Sequence, residues 1–504
     1  MLTSTCIPLL IPSPPTSIMG SRPIGSASFR IFEPMHDRLF TATSDLGLPV
    51  QSETTDPQAW QWSNFLDHLG RFGVQLGLER MTGLLERLGQ PQQGIPVIHV
   101  AGTNGKGSVC AMLSHILWAA GYRVGRYSSP HLVSWRERIW VNGQWIPMAE
   151  WSRLLYDLAQ ILKSYPPDQE CPTQFEVATA AAWLYFQAQK VDIVVLEVGL
   201  GGRLDATRVG IEPVATIITS IGMDHWQRLG NTLPQIAAEK AAIACTGIPM
   251  ISAPQVPEVL EVLYRQAQQV QAPLQVVDPV EWALPDLNQR ESNHTEFGQP
   301  GIRWKGETYP LPLRGNVQLI NSALALATVE VLRQQGYAIT SDQIRQGLAQ
   351  TQWPGRLQTI ELGGQTLLLD GAHNLPAAVA LRQYLDQTMS GSICWFVAML
   401  ETKDAAGILK MLLRPGDQVY TLPINDHLGI PPQMLATIAE QAQPALTAVT
   451  ALDSLHQWQE LLAHWDDLTA PKEPLTLPKN LVVCGSLYLI GQIMQECLGW
   501  ELAQ

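Results

Sequence analysis

Two rhythms of apolar residues alternate along this chain. Short unbroken apolar runs, each closed by glycines and polar residues, read as strands buried on both faces. Stretches with apolar residues every third or fourth position read as helices laid over them. Residues 95–101 form the first run and pass into Gly102-Thr-Asn-Gly-Lys-Gly-Ser108. Residues 122–127 end in Ser128-Ser-Pro-His131, residues 191–196 end on Glu197, and residues 214–220 end at Gly222-Met-Asp-His225, with a further short strand expected over 247–252. A helix is expected from Trp60, with Phe65, Leu69, Phe72 and Leu76 on one face, and another from Gly77 toward Leu88. After Ser108, the series Val109, Met112, Leu113, Ile116, Leu117 and Ala120 predicts a helix buried on one face and stopped by Gly121. Further helices are expected over 175–189, 232–243 and 321–335, whereas residues 280–313 read as irregular structure or a small hairpin layer.

Near Trp353-Pro-Gly-Arg356 the pattern restarts. Residues 367–369 run into Asp370-Gly-Ala-His-Asn374, residues 393–399 form the next strand, and residues 481–484 run into Gly485-Ser486. Helices over 376–388, 403–413, 431–442, 453–466 and 487–497 alternate with these, which predicts a separate three-layer α/β domain. The expected organisation is a disordered extension over 1–55, a first α/β domain over 56–353 and a second over 354–504. Prolines at 8, 12, 14 and 15 break the apolar run that a secretory signal needs, and Met35 is a possible alternative start.

Composition narrows the classes. The chain has 504 residues, 46% of them hydrophobic and 15% charged, enough for two or three globular domains. A net charge of −13 argues against nucleic acid or an anionic membrane as partner, so any anionic substrate must meet a locally basic pocket. The seven cysteines, at 6, 110, 171, 245, 394, 484 and 497, show no Cys-x-x-Cys pair, which suits a reducing cytosol. No apolar run reaches the length of about 18 residues that a membrane span needs.

The chemistry gathers at strand ends. Gly102, Gly105 and Gly107 let the backbone point successive N–H groups inward, and the helix that follows adds its positive end, so this turn reads as a phosphate cradle. Lys106 would hold phosphate oxygens and Ser108 a magnesium ion. Glu197, delivered beside the cradle by a buried strand, would hold the same hard cation. Each feature alone also has a plainer reading: a structural glycine turn, a solvated strand-end acid, and, for Glu239-Lys240, a surface pair on a helix.

The ordered set of motifs resembles the dihydrofolate synthase/folylpolyglutamate synthase family, within the Mur-ligase group of ATP-dependent acid–amino acid ligases. The marks are Gly102–Ser108, Tyr127-Ser-Ser-Pro-His-Leu132, Phe175-Glu176, the run Glu197-Val-Gly-Leu-Gly-Gly-Arg-Leu-Asp-Ala-Thr207, Asp224-His225, Glu239-Lys240, Gly355-Arg356, Asp370–Asn374 and Gly485-Ser-Leu-Tyr-Leu489. The resemblance covers residues 60–500. It implies a P-loop NTPase-like parallel-sheet domain and a Rossmann-like C-terminal domain, with ATP between them on Gly102, Thr103, Asn104, Gly105, Lys106, Gly107, Ser108, Asn321, Arg356 and Asp370. It further implies magnesium on Ser129, Glu197 and His225, and a lysine at Lys240 that is carbamylated in many members. His373 and Ser486 match residues associated with nucleotide or incoming glutamate, and Arg80, Ser129, Pro130 and His131 match the pterin side. Lys106, Lys240 and His373 are the implied catalytic residues.

The implied reaction joins L-glutamate to dihydropteroate, to tetrahydrofolate derivatives or to both, through an acyl phosphate, in a cytoplasmic monomer. A P-loop ATPase without ligation, a nucleotide-binding scaffold, a peptidoglycan-precursor ligase and a purely folate-extending enzyme are the alternatives. Three positions depart from the family pattern: Arg208 in place of asparagine, Leu375 in place of proline, and Ala242 in place of glycine.

Overall fold

The computed structural model describes residues 61–70, 73, 75–166, 169–282, 301–425, 428–465 and 480–500. The expected extension over 1–55, together with Phe72, lies outside them. Two parallel-sheet units and a small antiparallel sheet make up the described chain.

In the first sheet the strands lie in the order Gln144–Trp145, Ile139–Val141, Val124–Tyr127, Ile193–Glu197, Pro96–Ala101, Glu212–Ile218, Met250–Ser252 and Leu274–Val276. The six from Val124–Tyr127 onward run parallel, and the two at the other edge form an antiparallel hairpin. Alternation along the strands separates two cores. Val97, Tyr127, Val194 and Leu196 face helices Trp62–Gly70, Glu79–Arg87, Met148–Lys163 and Gln174–Ala188. Ile98, Val100, Ile193 and Val195 face helices Lys106–Ala119, Val317–Gln334 and Ser341–Gln350. Covering both faces explains why these strands read as continuous apolar runs.

The second sheet runs Gln358–Leu362, Gln365–Leu369, Asn480–Cys484, Ile393–Val397, Gln418–Thr421 and Ala448–Ala451, all parallel except the first. It is also buried on both faces, with Trp395 and Val482 in one core and Phe396 and Val483 in the other. In residues 280–313 the described part forms a three-stranded antiparallel sheet of Glu281–Trp282, Gly301–Trp304 and Glu307–Pro310.

The structure corrects some local readings. The first helix stops at Gly70, and Leu76 lies beyond it, exposed. The helix after the cradle is not buried on one face: every residue from Ser108 to Leu117 is buried, because the sheet lies under it and two further helices lie over it. Gly347 in one of those helices would place a Cβ 2.4 Å from the Ile116 Cα, so the two backbones meet where only glycine fits.

Candidate active site

The strand Pro96–Ala101 delivers the cradle at its carboxyl end, between neighbouring strands that end in Glu197 and Ile218. Gly105 takes φ +92° to enter the helix, and a Cβ there would sit 2.4 Å from the Asn321 Oδ1, which brings Asn321 against the cradle. At Gly107 a Cβ would meet the Trp353 ring at 2.4 Å. Lys106 folds back, its Nζ donating to the carbonyls of Gly102 (3.1 Å) and Thr103 (3.3 Å) and lying 4.0 Å from the Glu197 Oε1. The Thr103 hydroxyl accepts from the Gly222 amide, which ties the cradle to the next strand's exit.

Glu197 is buried, and burial raises its pKa; Lys106, the Ser129 amide at 3.2 Å, Arg356 and Arg126 oppose that rise. Ser129 and Glu197 are therefore neighbours. The Ser129–Pro130 bond is cis. His131 accepts from the Arg138 Nε at 2.9 Å. Leu132 and Val133 pack against the second unit, where a Cβ at Gly491 would lie 1.9 Å from the Leu132 carbonyl oxygen. This turn is thus shared by both units.

Lys240 is buried, and its Nζ donates to the Gly102 carbonyl at 2.9 Å. Burial first, and then the charge of Lys106, lower its pKa to about 7. The surface reading of Glu239-Lys240 fails for Lys240, while Glu239 pairs with Arg203 at 2.9 Å. His225 takes φ +50° and its ring is half exposed; partial desolvation together with nearby Lys403, Lys106 and His373 lowers its pKa to about 4 against the pull of Asp224. The shift favours the neutral imidazole, the form that binds a metal.

Asp370 is fixed by the amides of Leu357 (3.0 Å) and Ala372 (2.9 Å), and burial raises its pKa against Arg356. The His373 Nδ1 donates to the Gly371 carbonyl at 2.7 Å and its Nε2 lies 3.7 Å from the Asp224 Oδ2. Ser486 is buried and caps the helix Leu487–Gln492, its hydroxyl accepting from the Tyr488 amide at 3.1 Å. Arg80 belongs to a separate network: its Nε pairs with Glu176, its Nη1 with Glu170, and its Nη2 donates to the Gln75 carbonyl. The Arg80 side chain therefore braces the helix Gln174–Ala188, whose capping box uses the same Glu176.

Sequence reasoning passed over three polar residues at the junction. Asp224 meets Lys403 at 2.7 Å, and the Asn374 Nδ2 donates to the Asp224 Oδ2 at 2.9 Å and to the Asn104 Oδ1 at 3.0 Å. Their signal is position: Asp224 and Asn374 lie in the strand-end motifs 222–225 and 370–374, and Lys403 follows the apolar run 393–399. Arg126 was also passed over. It is buried between Trp140 (4.8 Å) and Trp353 (5.0 Å), with Nε and Nη1 lacking a partner among the described residues.

A glycine cradle at a parallel strand's end, an acid on the adjacent strand and a second α/β sheet bonded to the cradle through Asn374 are the parts that a Mur-type ATP-dependent ligase requires. Two family descriptions match the chain: Mur ligase middle domain over residues 100–329 and dihydrofolate synthetase, C-terminal domain, over 356–496. The dihydrofolate synthetase of Saccharomyces cerevisiae is 35% identical over 441 residues, covering 84% of this chain and 98% of that protein. The dihydrofolate synthase/folylpolyglutamate synthase of Bacillus subtilis is 39% identical over 351 residues, 68% of this chain and 80% of that protein. The solved structure of Escherichia coli FolC in complex with DHPP and ADP superposes with a TM-score of 0.70 at 31% identity, covering 88% of this chain and 99% of that one. The chain belongs to the dihydrofolate synthase/folylpolyglutamate synthase family.

Proposed function

We propose that this enzyme uses ATP to join the amino group of L-glutamate to the carboxylate of dihydropteroate and of reduced folates. One observation carries the reading most directly: Lys106 of the cradle lies 4.0 Å from buried Glu197, at the place where the second sheet contributes Asn374 to the cradle residue Asn104. That arrangement suits transfer of a terminal phosphoryl group. A carboxylate and an amine do not condense in water, so the substrate carboxylate oxygen first attacks the γ-phosphorus and ADP leaves. The glutamate nitrogen then attacks the acyl carbon, phosphate leaves and an amide remains.

The donor types suit a hard divalent cation: Glu197 supplies a carboxylate, Ser129 beside it a hydroxyl, and His225, three residues beyond the cradle-bound Gly222, an imidazole. When bound, magnesium neutralises charge on the transferring phosphoryl group. The protein's own share is positional. The cradle amides orient the phosphates, Lys106 balances their charge, and Asn321, Arg356 and Asp370 hold the nucleoside side. Lys240, with its pKa lowered to about 7, has enough neutral amine at physiological pH to take up carbon dioxide as a carbamate. Ser129, Pro130 and His131 line the pterin side, Arg80 supports it through Glu176, and His373 and Ser486 serve the nucleotide or the incoming glutamate. No helix among the described residues is long and apolar enough to cross a membrane, and the cysteine pattern supports a cytoplasmic setting.

Incubation of the protein with ATP, magnesium, glutamate and either dihydropteroate or tetrahydrofolate tests the reading by product mass. Addition of one glutamate residue to each acid is the expected result. Extension of tetrahydrofolate alone would reduce the activity to folylpolyglutamate synthesis, and no extension of either would overturn the reading.

A further inference from the structure

The segment 222–227 is gripped from two sides. On its own sheet, the Thr103 hydroxyl bonds both the amide and the carbonyl of Gly222, at 3.0 and 3.1 Å, so the segment is continuous with the phosphate cradle. Across the junction, a Cβ at Gly222 would meet Pro376 at 2.7 Å, and Asp224 receives the Lys403 ammonium at 2.7 Å and the Asn374 amide at 2.9 Å. The Asn374 side chain also pairs with the Asn104 side chain through two 3.0 Å hydrogen bonds, while its Oδ1 caps the helix Leu375–Thr388. A closed circuit results: Thr103 to Gly222, along the chain to Asp224, across to Asn374, and back to Asn104 in the cradle. Asp224 is the only carboxylate in that circuit; the Lys403 ammonium is bonded to it, and the His373 and His225 rings stand 3.7 and 4.0 Å from it.

The Asp224 and Lys403 side chains are each 9% exposed. A buried ion pair of this kind adds little net stability, but removal of Lys403 takes away the permanent cation bonded to Asp224 and leaves that charge to the Asn374 amide and two histidine rings in a desolvated place. Here that charge would stand next to His225 and the triphosphate cradle, where an unpaired carboxylate repels phosphate oxygens. Lys403 thus has two separable effects, one electrostatic on the cradle and one mechanical across the two sheets.

We propose that Asp224, held by Lys403 and Asn374, is a positioning residue that locks the phosphate cradle to the second sheet and so keeps water away from the activated substrate. The inference rests on the ligase reading. If the lock opens, a water oxygen bonds to the activated acyl group, the bond to phosphate breaks, and the free carboxylate returns. The net change is then ATP and water to ADP, phosphate and a proton, with no amide made.

The test compares wild type with Lys403→Met, Lys403→Arg, Asp224→Asn and the Asp224→Asn/Lys403→Met double variant, all as full-length chains checked for folding by thermal melting. Phosphate release and amide formation are measured together. Wild type releases one phosphate per amide, since that is the stoichiometry of ligation. In Lys403→Met the ratio rises roughly fivefold or more and the KM for ATP rises roughly tenfold. The double variant recovers most of the ATP affinity, because the unpaired charge is gone, and keeps the high ratio, because the tether is still missing. Lys403→Arg stays near wild type. A ratio of one in both Lys403→Met and the double variant would overturn the proposal, as would a double variant whose defects are the product of the two single ones. Hydrogen exchange of nucleotide-free protein reads the tether without any ligation assay. Faster exchange over 103–107 and 374–378 in Lys403→Met supports the lock, and unchanged exchange there contradicts it whether or not wild type makes an amide. Wild-type failure to ligate tells only against the function. Should Lys403→Met not fold, the same ratio measured on Asp224→Asn decides.

Discussion

Replacement of Gly105 by alanine isolates the cradle's geometry from the rest of the first domain. Gly105 sits at φ +92°, ψ −12°, where an L-residue costs about 1–2 kcal/mol. Its added Cβ would lie 2.4 Å from the Asn321 Oδ1 and 3.2 Å from the Cγ, so the Asn321 side chain must move. That movement breaks the buried 2.8 Å hydrogen bond from Asn321 to Gln318, a loss of about 1 kcal/mol. The structure thus predicts about 2–3 kcal/mol of lost stability, small enough that the variant folds. The effect on catalysis is larger, because the same shift displaces the cradle amides and Asn321 together. A displacement of about 1 Å in a positioning group costs about 100-fold in rate, so kcat/KM for ATP should fall by that much or more. Gly121→Ala is the matched control: it has the same φ of +92° with nothing within 4 Å of its new Cβ, so it suffers strain without touching the cradle. Steady-state kinetics with thermal melts of both variants make the comparison. Wild-type ATP parameters in Gly105→Ala, or an equal loss in Gly121→Ala, would refute the reasoning.

Three further outcomes are expected. Glu197→Gln and His225→Ala should each lower turnover far more than they lower the melting temperature, and near-normal activity of either at saturating magnesium would remove that residue from the metal site. Lys240→Ala should be nearly inactive and partly rescued by formate or acetate. Since only the neutral amine takes up carbon dioxide and the Lys240 pKa is lowered to about 7, the carbamate signal in carbon-13 spectra should grow between pH 6 and pH 8; no signal across that range would exclude the carbamate. Gly491→Ala, whose Cβ would stand 1.9 Å from the Leu132 carbonyl oxygen, should raise the KM for the pterin acid roughly tenfold and that for ATP much less, since it disturbs the turn carrying Ser129 to His131. An equal rise for both substrates would show that the turn does not divide the two sites.

The cradle and the strand-end acid were legible because their chemistry is local. A run of apolar residues that ends in glycines, lysine and serine constrains its own backbone, and the acid closing the run 191–196 lies on the neighbouring strand. What the pattern could not show depends on residues distant in the chain. The even burial of Lys106–Ala119 comes from helices Val317–Gln334 and Ser341–Gln350 folding over it. Burial of Lys240 depends on the Gly102 carbonyl, 138 positions away, and the partnership of Asp224 with Lys403 spans 179 positions. Arg126 reads as an ordinary basic residue in a strand, and its place between two tryptophans follows from Trp353 lying across Gly107. Arg80 shows the opposite case. Its position in the family motif is plain in the sequence, yet its bonds to Glu176, Glu170 and Gln75 are set by helix packing.

In the proposed reaction the substrate carboxylate is activated by the γ-phosphoryl group held between Lys106, Glu197 and the second sheet. Dihydropteroate labelled with oxygen-18 in its carboxylate tests this directly when it is turned over with ATP and glutamate and the phosphate released is analysed by mass. One labelled oxygen is expected in each phosphate, because the carboxylate oxygen that bonds to phosphorus leaves with it. Label found in AMP, or unlabelled phosphate accompanying amide formation, would contradict it.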